Sequence, residues 1–402
     1  MAPHLRSRFG LALTAALLLA LAPARVPAQA LSQAAPAGLD AALADLDRQL
    51  AADFARENVG SLSVGVVSGD RLVWSAHYGT TDATPGARAT NDTDYRIGSI
   101  TKQFTALMLL QLVERGTVRL TDPLAQYVPE SRAVTGAPPG APPVTLLQIA
   151  TMMSGWSREP AGAMSEHSVG PVRDWEKKVL ESLPRTTFAH PPGLEYLYSN
   201  IGYATLGLAL ERAAKQPYTE YVAEHILRPL AMTRSGFEAT ADIRKNLAHG
   251  FTRATRQAPP DGAGPDRELD GRGYRVPNGA LFSTVNDLAK FVSWELGAGP
   301  AGLLEKATQD ANYLRVYSAT DTRAALTMSS GYGLGFQAMR RGDAVFLGHG
   351  GSTSGYHASA LFHRPSQLGV VVLRGCDLCA MDAGPVALQV LEQLVRLRAP
   401  GL

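Results

Sequence analysis

The chain has 402 residues, 45% of them hydrophobic, with a mean hydropathy of −0.05. That is ample material for a large buried core and, at roughly 150 residues per domain, for two or three domains. Its 38 basic and 36 acidic side chains leave a formal net charge of +2, and no basic run or stripe marks a nucleic-acid partner.

The N-terminus is read first. Arg6 and Arg8 precede an almost uninterrupted apolar run over residues 10–23, and Ala28-Gln29-Ala30 follows as a small-x-small cleavage site. This three-part pattern predicts a secretory signal peptide over residues 1–30. A membrane anchor would need about 20 apolar residues, more than this run offers. The two arginines are not adjacent, which argues against a twin-arginine signal, and no cysteine near the cleavage site could be acylated. No later stretch is apolar enough to span a bilayer. The mature chain, residues 31–402, is expected to be exported, periplasmic or secreted, with no membrane anchor.

Residues 39–59 carry Leu43, Leu46, Leu50 and Phe54 at helical spacing and predict an amphipathic helix. Residues 61–67 and 72–78 are β-rich and separated by Ser68-Gly69-Asp70, the pattern of a hairpin. A second helix is predicted over 100–114, with Gly116 past its end. Helical stretches then recur at 144–153, 174–183, 203–213, 218–227 and 285–296, divided by Pro/Gly-rich loops at 133–143 and 256–273. Strand patterns return at 333–339, 344–347, 356–362 and 368–373, and a helix over 385–397 closes the chain. The only cysteines, Cys376 and Cys379, follow the last strand. In an oxidising compartment they could form a local disulfide or stay inert thiols; a packing role and a redox function are the other readings. Two cysteines cannot make a structural zinc site.

Helix, strands, a long helical insert, strands, helix is an α+β order. It packs naturally as an antiparallel sheet flanked by the terminal helices plus a mostly helical lobe. The expected lobes are 31–98 with 325–402, and 99–324. The cleft between them is the default ligand site.

Three short motifs could carry chemistry. In Gly98-Ser99-Ile100-Thr101-Lys102, a serine at a helix start has a lysine three residues on, on the same helix face. A serine hydroxyl needs a base within hydrogen-bond reach, and a desolvated lysine near other cations gives up its proton more readily. The alternative is an N-capping serine beside a solvated lysine. Tyr198-Ser199-Asn200 is the only Tyr-x-Asn in the chain; its phenol could shuttle a proton and its amide could orient a substrate. The alternative is a satisfied buried tyrosine and a turn asparagine. His349-Gly350-Gly351-Ser352 lies between two strand patterns, where glycines admit close backbone approach and an edge N–H could complete an oxyanion hole.

Ser-x-x-Lys, Tyr-x-Asn and a late Lys/His-x-Gly, in that order, resemble the serine β-lactamase and penicillin-binding-protein superfamily. The Tyr-x-Asn form resembles its class C-like branch, which includes esterases and D-amino-acid peptidases. Tyr95-Arg96-Ile97-Gly98, Gly116-Thr117-Val118-Arg119-Leu120-Thr121-Asp122-Pro123 and Gly355-Tyr356 are similar to segments of that branch. The resemblance runs over about 39–397. It implies Ser99 as acylated nucleophile, Lys102 as its base and Tyr198 as proton relay. It further implies that Asn200 holds the substrate amide, that the N–H groups of Ser99 and Ser352 form the oxyanion hole, with Gly351 beside them, and that His349 faces the cleft where the family often has lysine. It implies a small-molecule or short-peptide substrate and no cofactor or metal. Oligomeric state is not indicated.

Two departures stand out. Met152-Met153 replaces an expected His-Thr before Ser154-Gly155, which reads as a packing change. His349 is the larger one, because an unperturbed histidine is mostly neutral at pH 7. This predicts easier turnover of small neutral esters than of cephalosporins. A binder that acylates without turnover is the rival reading. Metal-dependent hydrolysis lacks a His-x-His-x-Asp or His-Glu-x-x-His set, and an α/β-hydrolase lacks Gly-x-Ser-x-Gly. The loops 157–172 and 250–278 are expected to line the cleft.

Overall fold

The computed structural model describes residues 38–81, 86–162, 168–321 and 330–398. The expected signal peptide lies outside them.

Among the described residues there are ten strands: β1 (Ser61–Ser68), β2 (Arg71–Gly79), β3 (Tyr95–Arg96), β4 (Phe282–Ser283), β5 (Ser318–Asp321), β6 (Ser330–Tyr332), β7 (Gln337–Arg341), β8 (Ala344–Thr353), β9 (Tyr356–His363) and β10 (Leu368–Arg374). Eight form one antiparallel sheet in the order β2-β1-β10-β9-β8-β7-β6-β5, and β3 pairs with β4 in a separate ribbon. Helices α1 (Leu39–Ala55), α2 (Thr101–Glu114), α3 (Leu146–Ala150), α4 (Trp175–Ser182), α5 (Asn200–Ala214), α6 (Tyr218–Val222), α7 (Ala241–Asn246), α8 (Val276–Gly279), α9 (Val285–Glu295), α10 (Lys306–Tyr313) and α11 (Ala383–Arg398) complete the chain. No described helix is long and apolar enough to cross a membrane.

Successive strand side chains point to opposite faces, and the two faces build two cores. Leu62, Val64 and Val66 of β1 and Val370 and Val372 of β10 pack against Leu43, Leu46 and Leu50 of α1 and Val390, Leu391 and Leu394 of α11. Val67, Val371 and Leu373 turn the other way, into the core that holds Phe104 and Met108 of α2 and Leu288, Phe291 and Val292 of α9. Each fully buried aliphatic side chain contributes roughly 2 kcal/mol. The β-lactamase/transpeptidase-like α+β architecture is therefore present. Its site-bearing strand, β8, is central enough to be held by β7 and β9 on both sides.

Several boundaries differ from expectation for local reasons. The first helix stops at Ala55 rather than near 59 because Asn58 adopts a left-handed conformation, φ 48°. The helix expected over 203–213 begins earlier, at Asn200, because the Ser199 hydroxyl caps it and accepts from Gly202 N–H at 3.0 Å. The strand expected over 333–339 starts only at Gln337; Gly333 N–H donates to Phe336 O at 2.9 Å, closing a turn instead. Helix α9, in the stretch expected to belong to the helical lobe, packs directly on β1 and β10. Cys376 and Cys379 are joined in a disulfide.

Candidate active site

The nucleophile turn is built by the backbone. Gly98–Ile100 forms a single 3₁₀ turn that runs into α2. The Thr101 hydroxyl donates back to Gly98 O at 2.7 Å and accepts from Leu281 N–H at 3.2 Å, tying the turn to the loop after α8. Gly98 has φ 51°, and a Cβ there would sit 2.7 Å from Ser352 N. A Cβ on Gly351 would likewise sit 2.9 Å from Ser99 N. The turn and β8 are therefore in backbone contact. This brings Ser99, Gly351 and Ser352 together, as an oxyanion hole from the Ser99 and Ser352 N–H groups requires.

Lys102 is wholly buried on the first turn of α2. Its Nζ lies 3.1 Å from Ser99 Oγ, 2.8 Å from Asn200 Oδ1 and 2.9 Å from Asn278 O. Burial pushes its pKa well below the ordinary lysine value; Glu159 opposes the shift, and Arg158, Arg272 and Arg275 reinforce it. Two acceptors, Asn200 Oδ1 and Asn278 O, hold two N–H bonds and leave the third direction aimed at Ser99. A neutral amine there presents its lone pair to the hydroxyl, which is the arrangement of a general base.

Tyr198 brings its ring beside the same group, with Lys102 Nζ 4.8 Å and Arg158 Cζ 4.7 Å from the ring centroid. Burial raises the phenol's pKa, with a hydrogen bond from Ser99 and the charge of Arg158 partly offsetting it. The phenol therefore keeps its proton near neutral pH and suits a relay or acid better than a free base.

One expected role changes, and Asn200 gains a second task. Its Oδ1 accepts from Lys102 and its Nδ2 donates to Glu159 Oε1 at 2.6 Å, using one of two sites at each end of the amide. That second task is to orient the lysine. His349 was expected to face the cleft as a lysine substitute, yet it is 1% exposed. Its Nδ1–H donates to Gly350 O at 2.5 Å, which leaves Nε2 to accept from the Tyr332 hydroxyl at 3.0 Å. Burial and then the charge of Lys102 push its pKa down to about 3. It is a neutral packing and hydrogen-bonding group, unable to bind a carboxylate as a cation.

Other participants carry no motif. Glu159 accepts from Asn200 and from the Tyr274 hydroxyl, and lies 3.4 Å from Arg275. Asn278 accepts from Lys102 with its backbone oxygen, and its Nδ2 donates to Asn200 O at 2.9 Å. Only their position in the two loops expected to line the cleft pointed to them. The Met152-Met153 departure is structural: Met152 is buried, its sulfur accepts from Ser199 N–H at 3.3 Å, and Met153 O accepts from Gly193 N–H at 2.7 Å. It splints the Tyr198 segment. Among the described residues no group of histidine, cysteine or carboxylate side chains could hold a metal. A cavity of about 830 Å³ opens on the opposite face of the sheet, between β7–β9 and α11. It contains none of the groups around Lys102, so chemistry rather than volume locates the site.

A serine beside a buried lysine, backed by a tyrosine and a glycine-rich strand, on this sheet, is the arrangement of the serine β-lactamase and penicillin-binding-protein superfamily. Residues 44–374 match the Beta-lactamase family, and the chain belongs to it. It is 31% identical over 378 residues to the human protein beta-lactamase-like 1, covering 90% of this chain and 71% of that one. It is 24% identical over 328 residues to protein flp of Staphylococcus aureus strain N315, covering 82% of this chain but only 62% of that protein. The structure of the octameric penicillin-binding protein homologue from Pyrococcus abyssi superposes with a TM-score of 0.73 at 25% identity, covering 88% of this chain and 77% of that one. A beta-lactamase/D-alanine carboxypeptidase from Yersinia pestis, a D-stereospecific amidohydrolase from Streptomyces and EstCE1, a hydrolase with promiscuous acyltransferase activity, share the fold.

Proposed function

We propose that this protein is an exported serine hydrolase that works through an acyl-enzyme on Ser99. The observation that carries the reading is the 3.1 Å approach of a buried, readily deprotonated Lys102 to the Ser99 hydroxyl. Lys102 takes the Ser99 proton as Oγ attacks a carbonyl carbon. The oxyanion formed is stabilised by the N–H groups of Ser99 and Ser352. The leaving group departs with a proton supplied from Lys102 through the Tyr198 hydroxyl. Water then gives its proton to Lys102 through Tyr198 and attacks the acyl carbon, and Lys102 returns the proton to Ser99 Oγ as the acid product leaves.

The neutral, buried His349 supports small neutral esters as better substrates than carboxylate-bearing lactams. The test is a panel of p-nitrophenyl esters, D-amino-acid amides, D-Ala-D-Ala peptides and nitrocefin, run on wild type and Ser99→Ala. Ester turnover lost in Ser99→Ala, with little nitrocefin hydrolysis, is expected. Fast nitrocefin turnover would overturn the substrate preference. A stable adduct without turnover on any substrate would replace the hydrolase by a binder.

A further inference from the structure

The tip of the β8–β9 hairpin holds a second cluster of polar groups, outside the Ser99–Lys102–Tyr198 set. Ser352 and His357 are cross-strand partners. The Ser352 hydroxyl lies 3.0 Å from His357 Nε2. The same nitrogen lies 3.0 Å from Asp377 Oδ1, and Nδ1 lies 2.9 Å from Asp382 Oδ1. Serine, histidine and aspartate in line suggest a second nucleophile, but the second carboxylate argues otherwise. A general base needs a free Nε2 lone pair, and here both ring nitrogens face carboxylates, so both hold protons. Burial alone would lower the pKa of His357; the hydrogen bonds to Asp377 and Asp382 outweigh it and raise the value to about 9. His357 is thus an imidazolium near neutral pH, and its Nε2–H is shared between Asp377 and the Ser352 hydroxyl.

Asp377 is held from both sides. It lies between Cys376 and Cys379, which are disulfide-bonded, and its N–H donates to Phe251 O at 2.7 Å. Asp382 stands just before α11 and also accepts from Gly384 N–H at 3.3 Å. The other charges nearby do not compete for the ring. Arg256 acts on Asp382. Arg374, the register partner of His357 on β10, donates instead to Val59 O and Ser61 O and lies 3.8 Å from Glu57.

We propose that His357 is a positioning residue for the oxyanion donor Ser352, and that the Cys376–Cys379 disulfide maintains this by holding Asp377 against the imidazole ring. The proposal rests on the serine-hydrolase reading above. Ser352 shares backbone contact with the nucleophile turn at Gly98, so a shift of the hairpin moves one oxyanion donor. That donor matters most when negative charge develops, so its displacement lowers kcat more than it raises KM.

The test measures p-nitrophenyl acetate hydrolysis per active site, titrated with a fluorophosphonate, across pH 6–10. It uses wild type, Asp377→Asn, His357→Gln, the Cys376→Ser/Cys379→Ser double variant, and wild type reduced with a phosphine. Each change is expected to lower kcat about tenfold to a hundredfold with KM nearly constant, less than loss of a donor outright. Wild type is expected to lose kcat on the alkaline side near pH 9, and Asp377→Asn to move that limb to lower pH. The reduced wild type carries no substitution and keeps the test open if a variant fails to fold. A drop in thermal stability or active fraction alone, with kcat per active site and the alkaline limb unchanged, would overturn the proposal. Retention of full activity by Ser99→Ala would instead overturn the reading beneath it.

Discussion

Gly351 lies against Ile97 with no space for a side chain: a Cβ at Gly351 would fall 1.9 Å from the Ile97 carbonyl oxygen. The obstacle is backbone rather than a movable side chain, so β8 itself would have to shift. A displacement of about 1 Å at a reacting centre can lower a rate by a hundredfold. Gly351→Ala is therefore expected to lower kcat by about that factor. Steady-state ester hydrolysis reads it, and wild-type kcat in Gly351→Ala would separate the glycine from the oxyanion hole.

Lys102→Arg is expected to slow acylation sharply by replacing a neutral base with a permanent cation. A guanidinium does not deprotonate in proteins, so it cannot accept the Ser99 proton. Loss of a general base typically lowers rates by about 10²–10⁴. The labelling rate with a fluorophosphonate measures this step directly, and a rate within about threefold of wild type would exclude lysine as the base.

Glu159→Gln bears on the pH profile. Glu159 is the anion that raises the pKa of Lys102 against the effect of burial. Without its charge the lysine deprotonates at lower pH, so the acid limb of kcat/KM should move to more acidic values. A limb that moves upward, or stays in place, would show that Lys102 does not set it.

His349→Gln addresses stability. The folded pKa of His349 is about 3, below the ordinary 6.5. At pH between those values the unfolded chain binds a proton that the folded chain does not. Its contribution is therefore lost as pH falls below about 6.5, at up to about 1.4 kcal/mol per pH unit. Urea unfolding at pH 4–7 should show a shallower pH dependence for His349→Gln than for wild type. Equal slopes would mean that His349 protonates in the folded state.

Glu295→Gln should act with the opposite sign. Burial raises the Glu295 carboxyl to about 8, with Arg364 opposing, and Gln103 Nε2 donates to it at 3.1 Å. A raised carboxyl stabilises below the unfolded pKa, near 4.5, and that stability is lost as pH climbs to about 8. The glutamine variant should therefore gain on wild type steadily between pH 5 and 8 in the same unfolding measurement. A constant difference across that range would refute the assignment.

Much of this protein was determined by the sequence alone. The period-two strands, the amphipathic α1 and α11, and the nucleophile helix are local consequences of side-chain spacing. Ser99 and Lys102 share a helix face whatever else the chain does. The ordered motifs also single out Tyr198, Asn200 and the Gly351–Ser352 strand as candidates, and the fold places them around Lys102 and Ser99. The disulfide is one of several readings the two cysteines allow, and geometry selects it.

The tertiary structure decided what depends on surroundings. His349 has the chemistry of a switchable cation, but burial beside Lys102 makes it neutral. Asn200 carries the amide expected to meet a substrate, and packing adds bonds to Lys102 and Glu159 that orient the lysine. Asn278 offers its carbonyl to Lys102 and its side-chain amide to Asn200 O, contacts that only the fold brings together. Desolvation, charge and hydrogen-bond partners come from segments far apart in the chain. Residue type sets what a group can do, and packing sets which of those things it does.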